Sequence, residues 1–232
     1  MPMRLNRFFC KETMGTVGTT VITLGGVVNQ IRNVFRLTSG DKVILFDGSG
    51  KDFVATITGY EKDSVTLVID EVLNNNVSPK REIYLFASIV KKDTFEWIAQ
   101  KATELGVTHI VPVLSERSEK KNLNIERLER IIIEAAEQSG RATLPKLHDI
   151  TTLKDCSITY GEIKSVVWHI DAPKFVSQEL AEVQGIYIGP EGGWSEKEIA
   201  FFKEKNIDIY SLGPQVLRAE TAVIATLSQF VF

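Results

Sequence analysis

Between residues 41 and 72, short β-branched and apolar runs are separated by turn residues, and in places apolar and polar positions show the alternation of a strand that buries one face. Asp41-Lys42-Val43-Ile44-Leu45-Phe46-Asp47 and residues 52–59 flank the turn Asp47-Gly48-Ser49-Gly50, which predicts a hairpin. Val65, Leu67 and Ile69 continue the alternation through residues 64–72. Several short strands in so few residues predict a small β-barrel. Asn74-Asn75-Asn76-Val77-Ser78-Pro79 then breaks the pattern with turn residues, so the chain reads as one domain over 1–73 and another over 74–232.

Beyond residue 80 short apolar runs alternate with segments of helical period. Residues 83–90 predict a buried strand. Asp93 with Glu96 reads as a capping box, and Phe95, Ile98, Ala102 and Leu105 form one apolar stripe that stops at Gly106. Residues 109–113 predict the next strand. Residues 125–139 predict a second helix, with Leu128, Ile131, Ile132, Ala135 and Ala136 inward and Gly140 past its end. Strands at 165–169 and 185–188, a helix at 195–205, a strand at 207–212 and a helix at 219–231 complete the pattern. Such alternation predicts an α/β fold with a mostly parallel sheet covered on both faces.

Hydrophobic residues at 44% and charged residues at 25% give the balance of a globular chain. No apolar run approaches the roughly 20 residues of a membrane span, and residues 1–7 lack a signal-peptide core. The expectation is a soluble, cytoplasmic protein with no membrane partner. Cys10 and Cys156 are too few and too scattered for a disulfide framework or a metal site, so no metal is expected. A net charge of −3 argues against nonspecific coating of nucleic acid but permits a local basic face.

In open α/β sheets ligands bind beyond the carboxyl ends of the strands. Two loops there have unusual composition. Ile188-Gly189-Pro190-Glu191-Gly192-Gly193-Trp194 precedes Ser195-Glu196-Lys197-Glu198, a capping box. Its glycines let the main chain approach a ligand closely, and Pro190 limits flexing. Read alone, this run is equally a tight strand-to-helix connection. Leu212-Gly213-Pro214-Gln215-Val216-Leu217-Arg218-Ala219-Glu220-Thr221-Ala222 also leaves a strand through Gly-Pro and enters a helix. Side by side, the two loops would wall a cofactor pocket. No Gly-Lys-Ser/Thr or Gly-x-Gly-x-x-Gly accompanies them, which disfavours phosphate binding.

These loops resemble the signature loops of the SPOUT class of S-adenosylmethionine-dependent RNA methyltransferases, and the nearest pattern is the ribosomal RNA small subunit methyltransferase E family. Gln100-Lys101-Ala102-Thr103-Glu104-Leu105-Gly106, Ser115-Glu116-Arg117-Ser118 and Glu134-Ala135-Ala136-Glu137-Gln138-Ser139-Gly140-Arg141 also match. So do Arg7-Phe8-Phe9, Arg32-x-x-x-Arg36 and Phe46-Asp47-Gly48-Ser49-Gly50. The resemblance covers both domains. It implies a SPOUT-type α/β domain with a deep trefoil knot, working as a homodimer and preceded by a PUA-like β-barrel that helps hold RNA. The implied cofactor is S-adenosylmethionine. The implied substrate is N3 of one uridine in 16S ribosomal RNA, free or in the assembled small subunit. Periodicity shows nothing of the knot, since chains almost never thread their own loops. The chain departs from the family after the strand 165–169, where the family often has a glutamate and this chain reads His169-Ile170-Asp171.

On this resemblance the cofactor contacts are Ile188, Gly189, Pro190, Glu191, Gly192, Gly193, Leu212, Gly213, Leu217, Arg218, Thr221 and Ala222. Methyl transfer from a sulfonium is a direct displacement that requires donor and acceptor in line. Uridine N3 must lose its proton, so a base and a cation near the ring oxygens would help. Arg218 is the candidate cation, and pairing with Glu220 to hold the loop is its equal alternative. Glu220 is the candidate base, with a structural role as its alternative. Arg4, Arg7, Arg32 and Arg36 could form a basic RNA-binding strip with Arg117, Lys120 and Lys121, and Arg141 suits a phosphate or base contact. His109 reads as a satisfied strand-edge residue, Trp168 as core and Trp194 as a pocket wall. Two rival readings remain: a SPOUT enzyme acting on transfer RNA or a ribose hydroxyl, and a non-catalytic ribosome-assembly protein.

Overall fold

Alternation in the N-terminal third becomes strands whose apolar faces share one core. The structure, a computed structural model, describes residues 5–77, 79, 81–119, 121–175 and 182–231. Arg4 and Lys120 lie outside the described residues. The chain divides into two units, residues 1–78 with 136–144 and residues 79–135 with 145–232.

In the first unit, β1 (Arg7–Phe9), β2 (Thr20–Leu24), β3 (Lys42–Phe46), β4 (Lys51–Tyr60) and β5 (Ser64–Asn74) form a sheet in the order β1-β3-β4-β5-β2. A short helix, α1 (Gly26–Asn29), runs into a π-helical turn over Gln30–Val34. The predicted hairpin is β3–β4, and β5 adds antiparallel to it. Register shifts at Val54/Ala55 and Ile57/Gly59 curl the sheet. Phe53, Ala55 and Ile57 from β4 meet Val65, Leu67 and Ile69 from β5 inside the curl. Residues 136–144 join this unit: Ala136 and Ala142 pack on Phe46, and the Gly50 N–H donates to the Ala142 carbonyl.

In the second unit, β6 (Glu82–Ser88), β7 (His109–Leu114), β8 (Lys146–Leu147), β10 (Ser165–Trp168), β11 (Val183–Ile188) and β12 (Asp208–Tyr210) form a sheet in the order β12-β10-β11-β6-β7-β8, with β9 (Thr151–Thr152) also on β7. All its pairings are parallel. Helices α2 (Lys92–Glu104), α3 (Ile125–Ser139), α4 (Leu153–Thr159), α5 (Glu196–Glu204) and α6 (Ala219–Val231) connect or end these strands. Phe86, Val111, Val167 and Tyr187 share one face with Phe202 of α5 and Cys156 of α4. The alternate residues Leu85 and Ile186 are also buried, so both faces are covered.

One predicted cap moves. Helix α2 begins at Lys92 with Lys91 as N-cap, and Asp93 sits in its first turn. With Asp93 inside the helix the predicted box cannot form, and the Glu96 carboxylate instead takes the Arg127 guanidinium at 2.7 Å. The Ser195–Glu198 box forms as predicted, with both reciprocal bonds made. Among the described residues no helix is long and apolar enough to cross a membrane.

Candidate functional site

Three loops meet at the carboxyl end of the parallel sheet. From β10 the chain goes to β11 on one side, then crosses through α5 to β12 on the other. Such a reversal of direction opens a crevice above the strand ends. Here it holds a cavity of about 360 Å³, within the usual range for a small-molecule site. Residues 168–171 at the end of β10, 188–194 at the end of β11, and 211–213 with 215–217 before α6 line it, with Arg117, Ala219 and Ala222.

The loop after β11 is a closed turn, with the Gly193 N–H donating to the Pro190 carbonyl at 2.8 Å. Gly193 adopts a φ of 65°, where a side chain would be strained. Gly189 lies flush against the Trp194 indole, and a Cβ there would stand 3.2 Å from the ring. Neighbouring loops hold this turn from outside. The Lys91 N–H donates to the Glu191 carboxylate at 3.3 Å, and the Glu116 N–H to Glu198 at 2.9 Å. Glu198 also accepts the Ser195 N–H at 2.8 Å. Arg117 Nη1 donates to the Gly192 carbonyl at 2.7 Å and approaches the Trp194 carbonyl at 3.4 Å.

The loop before α6 is held differently. The Ser211 hydroxyl accepts the Gly213 N–H and donates to the Gly213 carbonyl, each at 3.0 Å. Beyond that turn, residues 214–218 are exposed. Arg218 stands between Leu217 and Ala219, both cavity-lining, and among the described residues neither Arg218 nor Glu220 makes an ion pair. Their mutual pairing, one of the two readings of Arg218, is therefore not made.

Of the expected cofactor contacts, Ile188 through Gly193, Leu212, Gly213, Leu217 and Ala222 line the cavity; Arg218 and Thr221 adjoin lining residues. Sequence reasoning placed Trp168 in the core. It is buried, yet it also lines the cavity with His169 and Asp171 from the strand end that departs from the family pattern. The indole N–H groups of Trp168 and Trp194 are buried without a hydrogen-bond partner among the described residues. Two orphaned donors and a glycine cradle fit a flat, polar-edged ligand such as a nucleoside. The adenosyl part of S-adenosylmethionine has that chemistry.

The expected basic strip is dispersed among other partners. Arg7 forms a two-point ion pair with Asp52. Arg32 donates to the Glu61 and Lys62 carbonyls and lies over the Tyr60 ring. Arg36 is exposed at a φ of 54°. Arg141 is buried, and desolvation brings its guanidinium down to about 10. Glu137 accepts the Phe9 N–H and the Gln30 amide within the first unit.

The RNA methyltransferase domain family matches residues 77–231, and its PUA domain family matches residues 28–70. A ribosomal RNA small subunit methyltransferase E from Aquifex aeolicus is 35% identical over 228 residues, covering 95% of this chain and 96% of the relative. The Bacillus subtilis protein of that name is 30% identical over 244 residues, covering 97% and 95%. The crystal structure of the Neisseria gonorrhoeae protein of that name, bound to S-adenosylmethionine, superposes with a TM-score of 0.88 at 31% identity, covering 97% and 96%. A Legionella pneumophila putative methyltransferase in complex with the same cofactor gives 0.89 at 31%, with the same coverage. With a matched methyltransferase domain, a matched PUA domain and relatives aligned end to end, the chain belongs to the ribosomal RNA small subunit methyltransferase E family.

Proposed function

We propose that this protein uses S-adenosylmethionine to methylate N3 of a specific uridine in small-subunit ribosomal RNA. The observation that carries the reading is the cavity at the ends of β10, β11 and β12, with its glycine cradle and two unpartnered indole N–H groups. When bound, S-adenosylmethionine supplies a methyl group on a sulfonium. Main-chain groups of 188–193 and 212–213 would hold the cofactor, Trp168 and Trp194 wall its pocket, and Leu217, Thr221 and Ala222 complete the contacts.

Arg218, with no carboxylate partner among the described residues, places a cation beside that cavity. There it favours the charge that builds on the uracil oxygens as N3 loses its proton. Glu220, two residues on in the first turn of α6, is the candidate proton acceptor. RNA is held by the first unit through Arg36 and Arg32, and the enzyme acts as a knotted homodimer in the cytoplasm on free RNA or the small subunit. The test incubates the protein with labelled S-adenosylmethionine and, in parallel, small subunits and transfer RNA from cells lacking the activity, then maps the modified nucleotide. Label at uridine N3 is expected. Label on transfer RNA or a ribose hydroxyl would refute the substrate, and absence of both transfer and calorimetric cofactor binding would refute the enzyme.

A further inference from the structure

We infer that Arg117 is a positioning residue for the cofactor wall: its guanidinium staples the Gly192–Gly193 peptide, and so fixes the loop after β11 before any ligand arrives. The inference rests on the reading of the cavity as an S-adenosylmethionine site. A peptide between two glycines is the unit most free to flip, because neither neighbour has a Cβ to restrict ψ or φ. Here it lines the cavity, inside the turn closed by Gly193 N–H on Pro190. Its carbonyl accepts from Arg117 Nη1 at 2.7 Å, a charge-assisted bond. The aliphatic part of Arg117 lies so close to Gly192 that a Cβ there would stand 3.3 Å from Arg117 Cδ. Any larger residue at 192 would push the staple away.

Arg117 is itself held in place. Its neighbour Glu116 donates its N–H to Glu198, and the second oxygen of that buried carboxylate accepts the Ser195 N–H. The Ser115 and Ser118 hydroxyls bond to each other at 2.8 Å across the same turn. The turn after β7 and the helix start after the glycine loop therefore share one carboxylate, and Arg117 closes the span between them. An RNA-contacting arginine needs none of this. The side chain serves the wall.

The test compares full-length wild type with R117A and R117K by cofactor calorimetry, amide hydrogen exchange, and RNA binding at several salt concentrations. R117A is expected to raise the S-adenosylmethionine Kd about tenfold, the low end for one charge-assisted hydrogen bond. The loss should fall on KM for cofactor more than on kcat. Without cofactor, exchange at Gly193 should quicken by a similar factor, and R117K, which keeps the charge but loses the planar fork, should recover part of both effects. Unchanged amide exchange across 191–194 with unchanged cofactor affinity would overturn the inference. So would intact cofactor binding with weaker RNA binding and a salt slope reduced by about one, the mark of a phosphate contact. A wild type that binds no S-adenosylmethionine refutes the cofactor reading, and the exchange data still decide the staple. If R117A does not fold, R117K and R117Q take its place.

Discussion

Replacing Arg7 by alanine should destabilise the protein by about 2–3 kcal/mol. Arg7 Nη1 and Nη2 reach the two Asp52 oxygens at 2.9 and 2.7 Å, and Nη2 also donates to the Arg141 carbonyl at 3.1 Å. The guanidinium lies 5.3 Å from the Phe46 ring centroid. Side-chain exposure is 7% for Arg7 and 14% for Asp52, so both charges are largely out of water. Removing one member of a buried pair typically costs about 3–5 kcal/mol, because the other is left uncompensated. Asp52 keeps the Asn75 amide at 2.9 Å and some solvent, which lowers the figure. Lysine at position 7 keeps the charge but loses the fork, and should cost about 1–2 kcal/mol.

Urea unfolding followed by far-ultraviolet circular dichroism is the assay, since Trp97, Trp168 and Trp194 all belong to the second unit and report poorly on the first. A cycle with D52A should give a coupling above about 1 kcal/mol. A loss below about 1 kcal/mol in R7A, additive with D52A, would refute a structural pair. The outcome also bears on RNA. A charge reversal at Arg7 sets two carboxylates against each other inside the unit, so lost RNA binding in that variant would report on folding.

Arg36 is the cleaner site for an RNA test: R36E should weaken binding to small-subunit RNA and lower the salt slope by about one without moving the urea midpoint, as filter binding at several salt concentrations would show. Gly189→Ala should weaken S-adenosylmethionine binding about tenfold by calorimetry, because a Cβ 3.2 Å from the Trp194 ring forces the buried indole and the loop apart by a few tenths of an ångström. R218A should lower kcat by about 10²-fold while leaving the cofactor Kd within about threefold, read from single-turnover and binding data. His148 gives a pH prediction. Its imidazole bonds His109 at 2.9 Å and the Tyr160 hydroxyl at 3.1 Å, and burial, reinforced by His109 and Lys146, holds it down to about 4 against an ordinary 6.5. The folded state then binds fewer protons than the unfolded state between those values. That share of stability is present above pH 6.5 and lost as pH falls towards about 4. The loss should be about 1–2 kcal/mol after allowance for partial exposure, and H148Q should flatten the urea midpoint over that window.

The parallel sheet was legible because burial on both faces writes solid apolar runs, as at Ile83–Val90, and helices between them write a different period. Short elements were not. Strand β1 has three residues and β2 carries Ile22 and Leu24 on an exposed face, so neither shows an alternation that separates strand from loop. The place of residues 136–144 was illegible for another reason: Ala136 and Ala142 look like ordinary helix and loop residues, and their partners Phe9 and Phe46 lie far off in sequence.

The cavity's composition was readable, since glycine and proline declare special backbone wherever they stand. Its support was not, because a hydrogen bond such as Arg117 to the Gly192 carbonyl spans 75 residues and leaves no spacing to detect. The same limit explains why arginines read as a surface strip fall into separate roles. A guanidinium can donate to a phosphate, a carboxylate or a main-chain carbonyl, and which one it meets depends on topology. Two walls of one pocket thus differ in kind. The loop after β11 is fastened from β6 and β7 through Glu191, Gly192 and Glu198, whereas residues 214–218 stand exposed beyond a single serine turn. The fastened wall is the rigid side of the pocket, and the exposed one carrying Arg218 is the more open to a protease. If that division holds, proteolytic nicking of the ligand-free protein should begin within 214–218 and not within 188–194, and cofactor should slow it.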